Sequence, residues 1–208
     1  MFNQFIQQLK NKLTLPLPGE EVQFELAHIA RERIIPNSEE AQLYRPSAVL
    51  VFIYPNANNE PTILLVERPT YDGHHSGQIG FPGGKADLSD FNLEATALRE
   101  FFEETGCSET PNFIGSLTPV YIPISKFMVQ PYLAYLNETP IFNPDEREVF
   151  QLIELSVTDL LNPDLIKETI VTPTPTLNFK TPYFDVNQKI VWGATAMILN
   201  ELKALLLI

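Results

Sequence analysis

Hydrophobic residues near the start of the chain recur at intervals that a helix would place on one face. They are Phe2, Phe5, Ile6, Leu9 and Leu13. The pattern predicts an amphipathic helix that packs on the rest of the domain rather than on a membrane surface. The same apolar face is also a candidate contact for a homodimer.

Further along, hydrophobic residues form short continuous runs instead of a helical repeat. Residues 47–54 and 61–67 are rich in β-branched and aliphatic side chains and are separated by the turn-forming sequence PNANNE. Two such runs around a short polar turn predict a β-hairpin. Three later runs with prolines at their edges predict further strands, at residues 112–118, 127–136 and 148–155.

Two segments have the composition of helices. Residues 91–105 contain no proline or glycine, Ser89 or Asp90 is a candidate N-terminal cap, and Gly106 is a candidate stop. Residues 195–207 predict a closing helix. Strands with helices placed separately between them favour an α/β (α+β) sandwich with a mixed sheet. We expect residues 1–40 to form a helical extension packed on one domain of residues 41–208.

Composition narrows the range of functions. The net charge of -12 argues against a nucleic-acid partner, because release of counterions from nucleic acid needs a basic surface. The sequence has no apolar run of transmembrane length and no pattern of a signal peptide. Cys107 is the only cysteine and excludes an intramolecular disulfide. These features predict a cytoplasmic protein with no nucleic-acid partner and no membrane partner.

Glycines and carboxylates mark a candidate site. Five of the nine glycines lie between Asp72 and Gly84, so this loop turns sharply or approaches another group closely. In the helix that follows, Glu100, Glu103 and Glu104 are spaced so that they share one side. A solvated acidic face is the plain interpretation. Beside a glycine loop, the same carboxylates suit Mg²⁺ or Mn²⁺ in phosphate chemistry.

The sequence GGKADLSDFNLEATALREFFEETGC, which covers residues 83–107, resembles the Nudix box, G-x5-E-x7-R-E-U-x-E-E-x-G-U, in which U is a bulky aliphatic residue. Asp90 stands in place of the first Glu, the spacer to Arg99 is one residue longer, and Cys107 stands at the closing aliphatic position. The resemblance implies a Nudix-type α/β/α sandwich. It also implies that Arg99 pairs with Asp90, and that the metal ligands are Glu100, Glu103, Glu104 and the Gly84 carbonyl.

The preceding sequence, LLVERPTYDGHHSGQIGFPGG, resembles the additional signature of the coenzyme A pyrophosphatase branch of that family. The resemblance implies hydrolysis of the diphosphate of coenzyme A or acyl-coenzyme A to adenosine 3′,5′-bisphosphate and 4′-phosphopantetheine. Another diphosphate, such as ADP-ribose or a dinucleotide, is the alternative substrate. A non-catalytic domain that senses a nucleotide is the alternative from a different class.

Residues around this signature have candidate roles in substrate binding and catalysis. Arg68 is expected to clamp phosphate or to pair with a surface acid, and His75 to bind phosphate or to hold the loop. Lys85 contacts phosphate or is simply exposed, while Gln78 organises the loop. The general base is left open, and the candidates are Glu103, Glu146 and Glu148.

Overall fold

The structure is a computed structural model that describes residues 1–28, 31–36, 38–69, 77–174 and 177–208. The helices are α1 (Phe2–Lys12), α2 (Gly19–Phe24), α3 (Leu93–Thr105), α4 (Val157–Leu161) and α5 (Gly193–Leu207). The longer strands are β1 (Arg45–Pro55), β2 (Pro61–Glu67), β7 (Phe127–Tyr135), β8 (Gln151–Ser156), β9 (Ile166–Thr174) and β10 (Leu177–Val186). The shorter strands are β3 (Ile79–Gly80), β4 (Gly83–Lys85), β5 (Asn112–Ser116), β6 (Val120–Ile122) and β11 (Lys189–Val191).

Strand β1 organises the main sheet, which has eight strands within the described part of the chain. It pairs in parallel with β7 along most of its length. At one end it pairs antiparallel with β2, and at the other antiparallel with β4. The sheet is therefore mixed, which confirms the predicted fold class and the predicted hairpin.

Alternating side chains of β1 enter two different cores, as the two-residue period of a strand requires. Val51 and Ile53 join a cluster that contains residues of α1 and α5. Phe52 and Tyr54 point the other way and pack with Phe101 of α3. Helices thus cover both faces of the sheet, which gives the α/β/α arrangement.

The N-terminal helix packs on the domain through its predicted apolar face. Phe2, Ile6 and Leu9 are buried in the same cluster as the α5 side chains. This face is therefore covered within the chain rather than open to a second copy. The division at residue 40 and the oligomeric state stay predictions. No helix in the described ranges has the length and apolar character needed to cross a membrane.

The boundaries of α3 differ from the prediction at its start and agree at its end. The cap is Asn92, not Ser89 or Asp90, because the Asn92 side chain accepts a hydrogen bond of 2.8 Å from the Ala95 amide. Asp90 is held by Arg99 instead. Gly106 ends the helix with a φ of 61°, a left-handed conformation that glycine adopts without strain.

A second sheet of three antiparallel strands, β9 to β11, was only partly anticipated. The sequence of residues 183–199 resembles the closing strand and helix of the coenzyme A pyrophosphatase branch, whereas β9 gave no clear signal. Polar residues and threonines alternate loosely in β9, and it lacks the continuous apolar run that marks a buried strand. This sheet contributes Phe179 to the cavity described below.

The fully buried carboxylate of Glu201, on α5, ties the N-terminal segment to the domain. It accepts hydrogen bonds from the Gln23 side-chain amide at 2.7 Å and from the Thr118 hydroxyl at 2.6 Å. The Thr118 and Gly19 amides also donate to it. Four donors around one carboxylate compensate for the loss of its water.

Because Glu201 satisfies several buried donors, we expect Glu201→Ala to lower the free energy of unfolding by about 2 to 4 kcal/mol. Urea denaturation measures this. Glu138→Ala removes an exposed glutamate and should change the value by less than about 0.5 kcal/mol. Equal, small effects of both substitutions would show that the buried network contributes little stability.

Candidate active site

Two glycines bring the chain unusually close to the carboxylate helix. Gly83 and Gly84 lie on β4, opposite Val49 and Ala48 of β1. A Cβ atom on Gly83 would lie 2.4 Å from the Ala48 carbonyl oxygen, and one on Gly84 would lie 2.4 Å from the Glu100 carboxylate. Both distances are too short for a real Cβ atom. At Gly83 the obstacle is backbone, so glycine is required for β4 to pair with β1, whereas at Gly84 the obstacle is the end of the Glu100 side chain.

Glu104 is buried directly beside this glycine pair and is only 2 % exposed. Its Oε2 atom accepts a hydrogen bond of 2.9 Å from the Gly83 amide, and its Oε1 atom lies 2.8 Å from Nη2 of Arg68. Burial raises the pKa of Glu104 to about 7, although the Arg68 charge opposes the rise. Burial thus disfavours the charged form of this carboxyl group, and Arg68 stabilises that form.

Arg68, at the end of β2, links this carboxylate to the loop. Its Nη2 atom also donates a hydrogen bond of 2.9 Å to the Gly83 carbonyl. The sequence left open a phosphate clamp or an ion pair with a surface acid. The observed partner is an acid, but it is the buried Glu104. The Arg68 side chain remains about one-third exposed (32 %) and lines the neighbouring cavity, so it is accessible to a ligand there.

Arg99 forms ion pairs with the other acids of the site. Its guanidinium makes two hydrogen bonds to the Asp90 carboxylate, of 2.9 and 3.0 Å. It also contacts Glu100 and Glu103 at 2.9 Å each, and it donates to the Lys85 carbonyl. The paired arginine holds the pKa of Asp90 well below its usual range. Arg99 therefore braces the loop against the helix.

The three helix carboxylates have different surroundings. Burial raises the pKa of Glu100, against the effect of Arg99. Glu103 is half exposed, whereas Glu104 is enclosed. Within the described residues, no three histidine, cysteine, aspartate or glutamate side chains form a ready-made group for a metal ion. The donor set itself, hard carboxylate oxygens around a glycine pair that leaves room for the Glu100 carboxylate, fits a divalent ion.

A cavity of about 510 Å³ opens beside the glycine pair. The described residues around it include Gly83, Gly84 and Arg68 at the loop, and aromatic side chains from distant parts of the chain, Phe127, Phe179 and Trp192. Its volume is within the usual range of small-molecule sites, and its mixture of apolar walls and a few polar groups is typical of them. The loop and the carboxylate helix thus border a cavity that can hold an organic ligand.

The remaining candidates fall in different places. Gln78 and Lys85 line the cavity. The Gln78 carbonyl accepts a hydrogen bond from the Arg68 amide, and Lys85 is exposed. Glu146 and Glu148 lie on an exposed turn, and the charge of Glu148 is among those that raise the pKa of Glu104. His75 lies outside the described residues.

The sequence profile of the NUDIX domain matches residues 44–173, which contain the glycine pair, Arg68 and the carboxylate helix. The chain belongs to the Nudix family. Nudix hydrolases generally use divalent metal ions, so the family agrees with the donor set of this site.

Relatives extend the likeness beyond the matched domain. An uncharacterized Nudix hydrolase, NudL, of Pectobacterium atrosepticum is 33% identical over 160 residues, which are 76% of this chain and 81% of that protein. NudL of Yersinia pestis is 28% identical over 206 residues, which are 96% of this chain and 94% of that protein. The crystal structure of the Nudix hydrolase RenU of M. smegmatis is 16% identical, with a TM-score of 0.55, over 86% of this chain and 91% of that chain. This last likeness concerns the fold alone.

Sequence reasoning missed several residues of this Nudix cavity. His28 and Arg31 lie in the N-terminal 40 residues, and Phe179 and Trp192 lie in or beside the second sheet. None stands in a local motif, because each reaches the cavity only through the packing of distant segments. The two arginines in the otherwise acidic stretch of residues 20–40, Arg31 and Arg33, were the available signal.

The two glycines of the Nudix site should respond differently to alanine. Gly83→Ala collides with backbone and should lower the free energy of unfolding by about 2 kcal/mol or more. Gly84→Ala collides with the movable end of Glu100, so it should fold with a loss below about 1 kcal/mol and yet lose activity. Urea denaturation and a hydrolysis assay separate the two effects. Equal loss of stability in both variants would contradict this geometry.

Proposed function

We propose that this Nudix hydrolase cleaves the diphosphate of coenzyme A or acyl-coenzyme A with Mg²⁺ or Mn²⁺. The products are adenosine 3′,5′-bisphosphate and (acyl-)4′-phosphopantetheine. The substrate assignment is supported by the resemblance of residues 64–84 to the coenzyme A pyrophosphatase signature. This segment contains Arg68 and ends at the glycine pair. Location in the cytoplasm stays part of this proposal.

One observation carries the proposed chemistry. The buried Glu104 carboxylate, the Arg68 guanidinium and the glycine pair are in direct contact, and the cavity adjoins two of these three groups. A diphosphate needs cations near its oxygens and a place for the organic groups on either side. Arg68 provides a cation, and the cavity provides space for the organic groups.

Glu100, Glu103, Glu104 and the Gly84 carbonyl are the groups that would hold the metal. A bound divalent ion neutralises phosphate oxygens and lowers the pKa of an attacking water. Arg99 and Arg68 compensate part of the carboxylate charge. Glu103 is the most accessible of the three side chains, while Glu104 is the most enclosed.

The chain's own residues then have distinct roles. Arg68 faces the cavity and supplies positive charge to the diphosphate, while its Nη2 atom stays bound to Glu104 and Gly83. Arg99 is a positioning residue that orients Glu100 and Glu103 and keeps the loop against α3. We assign the acceptor of the proton of the attacking water to Glu148, an exposed carboxylate whose charge is one minor cause of the raised pKa of Glu104. Gln78 and Lys85 border the substrate.

Product analysis tests the substrate. Purified protein with Mg²⁺ is incubated separately with coenzyme A, ADP-ribose and a dinucleotide, and the products are separated by chromatography. We expect preferential release of adenosine 3′,5′-bisphosphate from coenzyme A, and Glu104→Gln should lower its rate by about 100-fold or more. Faster cleavage of another diphosphate would overturn the coenzyme A assignment alone. No turnover of any would favour a nucleotide-sensing domain.

The general base is tested by a matched pair on one turn. Glu148→Gln should lower kcat by about 100-fold or more, since the amide cannot accept the proton. Glu146→Gln changes an equally exposed neighbour and should leave kcat within about twofold, because it is not needed for proton transfer. Steady-state kinetics on coenzyme A measures both. If only Glu103→Gln has the large effect, the base is Glu103 instead.

A further inference from the structure

The cavity has a local charge opposite to that of the protein. The chain carries a net charge of -12. Among the described residues that line the cavity, the cations are Arg31, Arg68 and Lys85, and the only acid is Glu32. An excess of cations in an acidic protein marks a site for an anionic ligand. Arg68 and Lys85 belong to the diphosphate site, whereas Arg31 comes from a different segment.

Arg31 is a largely buried arginine without an acidic partner in the described ranges. Its Nη2 atom donates a hydrogen bond of 2.5 Å to the Tyr121 carbonyl. Its Nε atom is buried and has no hydrogen-bond partner among the described residues. Burial lowers the pKa of Arg31 to about 10. The side chain thus remains charged at neutral pH with part of its hydrogen-bonding capacity unused.

His28 is a second incompletely satisfied polar group on the same cavity wall. Its ring stacks on Phe179 with centroids 4.1 Å apart, and its Nδ1 atom is buried with no partner in the part of the chain that the structure describes. Burying an unpaired charge or polar group costs free energy, unless a ligand supplies the missing partner. Two such groups beside one cavity favour a specific ligand group over a chance arrangement.

The segment that carries Arg31 is fixed in place by contacts on both sides. Gln23 and Gly19 bind Glu201, which anchors α2 to α5. Arg33 makes two hydrogen bonds to Glu21 on the surface. Arg31 itself is bound to the backbone of β6. Its position in the cavity wall is therefore built into the fold.

We propose that Arg31, assisted by His28, forms a second phosphate subsite that binds the 3′-phosphate of the coenzyme A ribose. The inference rests on the proposed function, and it concerns a phosphate monoester that the diphosphate chemistry does not involve. A phosphate monoester carries nearly two negative charges and accepts several hydrogen bonds, which matches a guanidinium whose Nε atom has no partner among the described residues. Arg31 is then a specificity residue for substrates with an additional phosphate.

Ligand binding tests the subsite without turnover. Calorimetry without added metal compares adenosine 3′,5′-bisphosphate, which has the additional phosphate, with AMP, which lacks it. We expect the wild-type protein to bind the bisphosphate about 10-fold or more tightly, and Arg31→Ala to remove most of this preference. Equal binding of the two nucleotides by the wild type would overturn the inference.

Kinetics gives an independent readout. For the wild type we expect kcat/KM to be about 10-fold or more higher for coenzyme A than for 3′-dephospho-coenzyme A. Arg31→Ala should lower the value for coenzyme A and leave that for the dephosphorylated substrate unchanged, and Arg31→Lys should be intermediate. Equal losses on both substrates would mean that Arg31 acts on the fold or on catalysis, which would overturn the assignment.

Control variants distinguish a failure of the proposed subsite from a failure of the proposed function. Arg33→Ala removes an arginine of the same segment that is paired on the surface, and it should keep both preferences. If Arg31→Ala does not fold, the subsite is still tested by Arg31→Lys and by the preference of the wild type for ligands with the 3′-phosphate. If neither coenzyme A nor its dephosphorylated form is cleaved while ADP-ribose is, the proposed function fails. The nucleotide-binding comparison then judges the subsite separately.

Discussion

The contact between the Gly83 amide and the buried Glu104 carboxylate is the interaction on which this structure most depends. It joins β4 to α3, and Arg68 brings β2 to the same carboxylate. Since β4 also pairs with β1, the central strand, the loop and the helix are held in one arrangement. The site is therefore part of the main sheet's packing and not an attachment to it.

This arrangement encloses the carboxylates of Asp90, Glu100 and Glu104, and two arginines compensate their charge. Arg68 compensates Glu104, and Arg99 compensates Asp90, Glu100 and Glu103. Each arginine also donates a hydrogen bond to a backbone carbonyl of β4, Arg68 to that of Gly83 and Arg99 to that of Lys85. The same side chains thus neutralise the helix acids and hold β4 against α3. Substitution of either arginine affects the shape of the site as well as its charge.

Much of the site could be predicted from the sequence because it is local. Residues 83–107 form one strand, loop and helix, so that the spacing of Gly84, Glu100 and Glu104 determines their proximity. The β1–β2 hairpin and the helices α1 and α5 could also be predicted, because their apolar patterns are strong. The predicted helix cap was wrong because several polar residues precede α3. Only the hydrogen bond from the Ala95 amide to the Asn92 side chain identifies the cap. Phe179 and Arg31 could not be predicted to line the cavity, because tertiary packing alone brings them there.

The cations of the cavity lie inside a molecule that is strongly negative as a whole, and so the electrostatic field has opposite signs at two ranges. An approaching polyanion is repelled at distances comparable with the Debye length, about 8 Å at physiological ionic strength. Arg31 and Arg68 line the cavity, so their attraction acts at short range. Salt therefore weakens the barrier to entry before it weakens these enclosed contacts. The protein gains selectivity at the cost of diffusional steering, because ligands that cannot fit into the cavity experience only the repulsion.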